Sequence, residues 1–457
     1  MDNKENSKLE NESSEATEIN REKIVLDVEH SSDDTTMPSE HHRSHHHSSH
    51  HSHHGHHGNH SSHRSGHHRR SHKHNSKKKF KFTSKRGWIL VICAFIILFI
   101  SVIATMEARN ANPSNPQLGG EQTSSILNVE VYNQEGILVK NAVNKYLLTD
   151  LLNPANANVL PSSFANKDEG RLDAQVPVSL RLSVKDGIAL SYKIELATND
   201  SFANAQIYYL ESSFGVFEFR HLYTNTTYYY RVTVYTRQGT DTTMGHFKTA
   251  DTPRILSIDG LSRVRDIGNW RTDSGKRIKQ GLLIRGTEMD AAVESGYHLT
   301  NVGLVDMLEI FGVKTDMDLR AKTATSKDAL GSRVEHKYYN MVMYDDIFTD
   351  YGKEKVRMVF ADLADPDNYP IYLHCTHGCD RTGTICYLLE ALLGVSRGDC
   401  LKDYGLSNLN IANIQVIENG LKSYEGDTLK EQVESYLLSC GVSEYQISSI
   451  RNIFLGD

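Results

Sequence analysis

Cysteine is sparse in this chain: six residues in 457, at Cys93, Cys375, Cys379, Cys386, Cys400 and Cys440. Their spacing is irregular, and the five beyond residue 106 are odd in number. They make no disulfide framework and leave at least one free thiol. Acidic residues are missing from 41–87, which holds 11 Lys and Arg, and apolar residues almost vanish between His41 and His74. Seventeen of the 24 histidines crowd into that interval. A segment so poor in apolar surface cannot offset the entropy of ordering, so a disordered tail is expected over 1–87. Its histidines suit Zn, Ni or Cu, or would gain charge below about pH 6.5. The formal net charge of −7 therefore hides −8 over 1–40, +11 over 41–87 and −10 over the rest. Basic charge confined to a tail argues against a nucleic-acid partner for the folded part.

Charge and proline are absent from Trp88 to Met106, a run of 19 residues. At 1.5 Å per residue it roughly matches a ~30 Å hydrocarbon core, so a transmembrane helix is expected. Lys and Arg crowd the side before it, while the twenty residues after it carry one base, Arg109. The positive-inside rule then puts the N-terminus in the cytoplasm and everything beyond about residue 107 outside. Eighty-seven preceding residues make a cleaved signal peptide a poor fit. Residues 107–125, polar with Asn, Pro and Gly, read as a stalk.

From 126 to 252 the pattern has period two. In the run 227–235, Tyr228, Tyr230, Val232 and Val234 share one face while Arg231 and Thr233 point away. Further strands are expected at 176–184, 188–196, 205–210 and 215–220, which together suggest a β-sandwich. The run 222–232 resembles the late-strand signature of fibronectin type III modules, which implies a spacing or docking role. From 253 to 457 helical periods (301–311, 354–364, 384–393, 429–438, 444–454) alternate with short apolar strands (282–284, 313–319, 371–374), indicating an α/β domain. The fold class expected is thus multi-domain: a disordered tail, one membrane helix, an all-β sandwich and an α/β domain.

The chemistry sits in Tyr372-Leu-His-Cys-Thr-His-Gly-Cys-Asp-Arg-Thr-Gly-Thr384. A strand ends at His374, a polar loop follows, and a helix opens near Thr382. Successive backbone N–H groups and a helix N-terminus then surround one point, an anion cradle. A thiol at Cys375 would have its pKa lowered there. Arg381 can grip two oxygens of a phosphate, and Thr382 can hydrogen-bond the sulfur. Thr376, His377, Gly378, Cys379 and Asp380 complete the wall of the cradle. His374 is expected to orient the loop and hold the thiolate, with His377 as plausibly exposed as functional.

This loop is similar to that of the cysteine-dependent tyrosine and dual-specificity phosphatases, and more narrowly to a bacterial family whose loop reads HCxxGKDRTG. The resemblance extends over about 255–457, through 264–270, 282–288, 312–320, 403–408 and 441–447. It implies a phosphatase acting on a phosphotyrosine protein or other phosphate monoester, with Cys375, Arg381 and a general acid as catalytic residues and no metal or cofactor. The acid aligned by the resemblance is Asp345, with Asp346 and Asp380 as alternatives. Asp318 is expected to stabilise a strand end, with Arg320 or Arg285 paired to it or to substrate. Cys379 replaces the usual Lys, which weakens the case for a phosphoinositide or inositol-phosphate substrate, and it could trap Cys375 as a disulfide. A surface adhesion or phosphate-sensing protein that binds without catalysis is the remaining alternative.

Overall fold

The computed structural model describes residues 126–211, 215–290, 296–323 and 326–456. The expected tail, its metal-binding histidines, the apolar stretch 88–106 and the stalk lie outside the described residues. Among the described residues no helix is long and apolar enough to cross a membrane. The longest has 14 residues, about 21 Å against a ~30 Å core. The expectation of a single-pass membrane protein with an extracellular catalytic domain is therefore corrected, because no described helix supplies a span.

Two antiparallel sheets come first. One joins β1 (Leu127–Tyr132), β2 (Val178–Val184) and β5 (Val216–Phe219) in the order β1-β2-β5; the other joins β3 (Ala189–Ala197), β4 (Gln206–Glu211), β6 (Thr227–Thr236) and β7 (Gly239–Lys248) in the order β4-β3-β6-β7. The alternation in β6 is observed as expected: Tyr228, Tyr230, Val232 and Val234 are buried, whereas Arg231 turns outward. There it grips Glu195 of β3 through Nε and Nη2, both at 2.6 Å. Leu180, Ile194, Phe217, Val232 and Phe247, from both sheets, share one buried cluster.

The segment between β1 and β2, expected within the β region, packs elsewhere. Its helix α1 (Asn141–Leu147) buries Val143 and Tyr146 in the same cluster as Leu373 and Tyr404 of the α/β part. Tyr146 is wholly buried, its hydroxyl 3.4 Å from the Lys402 carbonyl.

The α/β part is built on a six-stranded sheet: β8 (Arg254–Ile255), β9 (Arg265–Asp266), β10 (Leu283–Gly286), β11 (Thr315–Asp318), β12 (Glu335–Tyr338) and β13 (Ile371–His374), in the order β12-β11-β13-β10-β9-β8. β13 is central and parallel to both neighbours, with Gly286 and Asp318 in register with His374. Three strands thus end side by side, which opens a crevice at their carboxyl ends. The helices of this part are α2 (Asn301–Val305), between β10 and β11, α3 (Asp350–Leu363), between β12 and β13, and, after β13, α4 (Asp380–Leu392), α5 (Arg397–Gly405), α6 (Ala412–Leu421), α7 (Leu429–Ser439) and α8 (Glu444–Leu455). A capping box of Ser443 and Gln446 opens α8. α4 is apolar on nearly every face, because it is enclosed by protein: every residue from Thr382 to Leu392 is buried.

Candidate active site

β13 delivers the chain into a loop, 375–379, and α4 turns it away again from Asp380. The turn requires glycine at 378: its φ is +65°, and a Cβ there would stand 2.3 Å from the Gly286 carbonyl oxygen. The loop is also held from beneath. Arg285, fully buried on β10, donates to the Gly378 carbonyl at 3.0 Å and to Asp403 at 2.8 Å. Asp403 also receives Arg265 through Nε at 2.9 Å and Nη2 at 3.0 Å. The segments 264–270, 282–288 and 403–408, far apart in sequence, therefore meet under the cradle. Burial opposes the Asp403 charge, but Arg265 and Arg285 overcome it and hold the carboxyl below its usual range. Neighbouring Glu390 goes the other way: burial, then the Asp403 charge, raises it well above the carboxylate range.

His374 ends β13, 3.0 Å from Asp316 and 3.9 Å from Asp318. Burial works against its charge, yet these carboxylates raise it to about 9. Cys375 follows directly and is itself buried. Burial would raise its thiol; the neighbouring Thr382 hydroxyl and N–H, with the charges of Arg381 and His374, outweigh that and lower it. These groups favour the ionised sulfur.

Arg381 is half-buried at the rim and donates to the Thr376 hydroxyl at 3.3 Å. The Thr376 carbonyl accepts from the Glu288 N–H at 3.1 Å, tying the loop to the end of β10. His377 is exposed, edge-on to Tyr297 with ring centroids 6.0 Å apart. The Cys379 thiol lies 3.2 Å from the His377 carbonyl and is raised chiefly by burial, so it stays protonated at neutral pH.

The three acid candidates divide by environment. Asp345 and Asp346 are exposed on the turn Tyr344–Phe348. Asp380 sits inside the loop, half-buried, and burial raises its carboxyl against the opposing charges of Arg381 and Arg263. Tyr344 joins the two places: its backbone is left-handed, φ +49°, and its hydroxyl donates to Asp380. Asn413 of α6 supports that hydroxyl at 3.3 Å.

Arg285 and Arg320 are both paired with carboxylates, Arg285 with Asp403 and only Arg320 with Asp318. Arg320 is surrounded by Asp318 at 2.7 Å, Asp290 at 2.9 Å and Glu288. Asp318 does hold its strand end, accepting from the Arg320 N–H at 2.8 Å. Tyr344 and Arg263 escaped the sequence reading, and Asp403 entered it only as the first residue of the segment 403–408, with no role assigned. Only the position of Arg263, two residues before the buried Arg265, could have drawn notice. Among the described residues no group of His, Cys, Asp or Glu is arranged to hold a metal ion.

Comparison with known proteins bears on residues 256–444, which match a family model described as the tyrosine phosphatase family. A protein of Cupriavidus necator, named provisionally as a tyrosine-protein phosphatase, is 29% identical over 230 residues, 44% of this chain and 79% of its own length. A tyrosine-protein phosphatase of Nostoc commune is 28% identical over 125 residues, 22% of this chain and 42% of its own. Among solved structures, the core catalytic domain of the PP-IP phosphatase SIW14 from S. cerevisiae aligns at 13% identity and a TM-score of 0.24, over 34% of this chain and 80% of that one.

Proposed function

We propose, for a chain that is an enzyme of the protein-tyrosine-phosphatase class, that Cys375 is its nucleophile and phosphotyrosine proteins its substrates. The lowered Cys375 thiol, placed between the end of β13 and the start of α4 with Arg381 on the same loop, is the observation that carries this reading. The thiolate attacks phosphorus in line, forming the S–P bond as the bond to the tyrosine oxygen breaks. Arg381 and the loop amides bind the equatorial oxygens as charge develops. The leaving oxygen takes a proton from an aspartic acid. Water then attacks the cysteinyl-phosphate, returns a proton to that aspartate, and releases phosphate and the thiolate.

Asp345, Asp346 and Asp380 are the candidates for the proton, the first two sharing one exposed turn. Placement in the loop and a carboxyl that burial raises favour Asp380. The first domain we infer to be a β-sandwich of the fibronectin type III kind. Its strand orders, β1-β2-β5 and β4-β3-β6-β7, support that reading and a docking or spacing role.

The test is hydrolysis of p-nitrophenyl phosphate and phenyl phosphate in EDTA and dithiothreitol. Cys375→Ser should abolish both; activity that survives it overturns the covalent mechanism. Asp380→Asn should slow the poor leaving group, phenol, by about 10²–10³-fold and nitrophenol far less. The same selectivity in Asp345→Asn instead would move the acid to that turn.

A further inference from the structure

Arg263 has no part in the chemistry above, yet the fold goes to some length to place it. Its backbone is left-handed, φ +54°, a conformation that costs a long side chain energy. The strained turn is held from the segment between β1 and β2. The Asp173 carboxylate accepts from the Arg263 N–H at 2.6 Å and from the Ser262 hydroxyl. Arg171 pairs with Asp173 at 3.1 Å and donates to the Leu261 carbonyl at 3.0 Å.

What this turn presents is a guanidinium beside the catalytic loop. Arg263 Nη1 donates to the Tyr297 hydroxyl at 2.9 Å and to the His377 carbonyl at 3.5 Å. Among the described residues its hydrogen-bond partners are these two neutral oxygens. Arg265, Arg285 and Arg320, by contrast, are each committed to carboxylates. Arg263 is half-buried and solvent-accessible, and both of its bonds leave from Nη1. Nε and Nη2 remain, the two donors that meet a carboxylate side by side. Its charge is felt at Cys379 and Asp380 across the loop. The loop itself offers no Lys there, only the neutral Cys379 thiol.

We propose that Arg263 binds a second anionic group of the substrate, the carboxylate of an acidic residue flanking the phosphotyrosine. It thereby makes this a site for acidic phosphopeptides. The proposal rests on the phosphatase reading, and its test separates the two. Two phosphotyrosine peptides, flanked by Glu or by Gln, are measured for kcat/KM on the full chain and for Kd on Cys375→Ser. The Glu peptide should be favoured about tenfold in both, through KM and Kd rather than kcat. Arg263→Ala should bring the ratio near one, and Arg263→Glu should turn the preference toward a Lys-flanked peptide. The wild-type preference should also shrink between about 50 and 500 mM salt, since the pair is partly solvated. A wild-type ratio of one, or an unchanged ratio in Arg263→Ala, overturns the proposal. A Glu preference in Kd without any turnover would keep it and overturn the phosphatase reading instead.

Discussion

The buried cluster beneath the loop makes a quantitative prediction about Asp403. One carboxylate there serves two guanidiniums, Arg265 at 2.9 Å and Arg285 at 2.8 Å, all three side chains being at most 1% exposed. Removing one partner of a buried ion pair typically costs about 3–5 kcal/mol, because the charge left behind is uncompensated. Here a reserve is at hand. Glu390 is kept neutral by burial and by the Asp403 charge, against the pull of both arginines. Once Asp403→Asn removes that opposing charge, the two guanidinium charges favour ionisation of Glu390, which loses its proton to solvent and becomes their counterion. Asp403→Asn alone should then cost about 2–3 kcal/mol, below the usual range. Glu390→Gln alone should stay within about 1 kcal/mol, because it replaces one neutral polar group by another. The double variant should exceed the sum by at least about 1 kcal/mol. Urea unfolding of the four proteins at pH 7, with m held constant, closes the cycle. Additivity within about 0.5 kcal/mol would refute the exchange of roles between the two carboxyls.

Two other outcomes follow from the loop. His374, raised to about 9 from an ordinary value near 6.5, adds stability that is whole below pH 6.5 and lost as pH climbs through 9. The stability gap between wild type and His374→Asn should therefore narrow steadily from pH 6.5 to 9 in chemical denaturation; a gap flat with pH would mean a neutral imidazole. Gly378→Ala should lower kcat by about a hundredfold and stability by about 1–3 kcal/mol, since a Cβ meets the Gly286 carbonyl and φ is positive. Near-wild-type turnover would show that the loop is not fixed at that point.

What could be read from the sequence was whatever is local. The run Ile371–His374 is bounded by turn residues and buried on both faces, so strand and boundaries agreed with the expectation. The alternation in β6 was equally plain. Long-range partnership carries no such signal. Arg285 meets Asp403 across 118 positions, and nothing near either residue says that one serves the other. Helix α1 was hidden because Val143 and Tyr146 complete a core belonging to another part of the chain, so the surrounding period-two pattern misassigned them. The acid was ambiguous for a related reason. Resemblance pointed to Asp345, whereas exposure and burial, visible only in three dimensions, separate it from Asp380.

The segment between β1 and β2 also bears on what counts as a module in this protein. The family match begins at residue 256, yet Tyr146 closes the core against Gly405, and Asp173 fixes the turn at 262–263. A catalytic fragment cut at 253 would bare the apolar seat of Tyr146 and release Arg263 from its strained pose. The sheets and the enzyme are thus grafted, not strung together: the graft's rootstock reaches across the nominal border. Transplanting the phosphatase onto another scaffold would have to carry residues 137–175 with it.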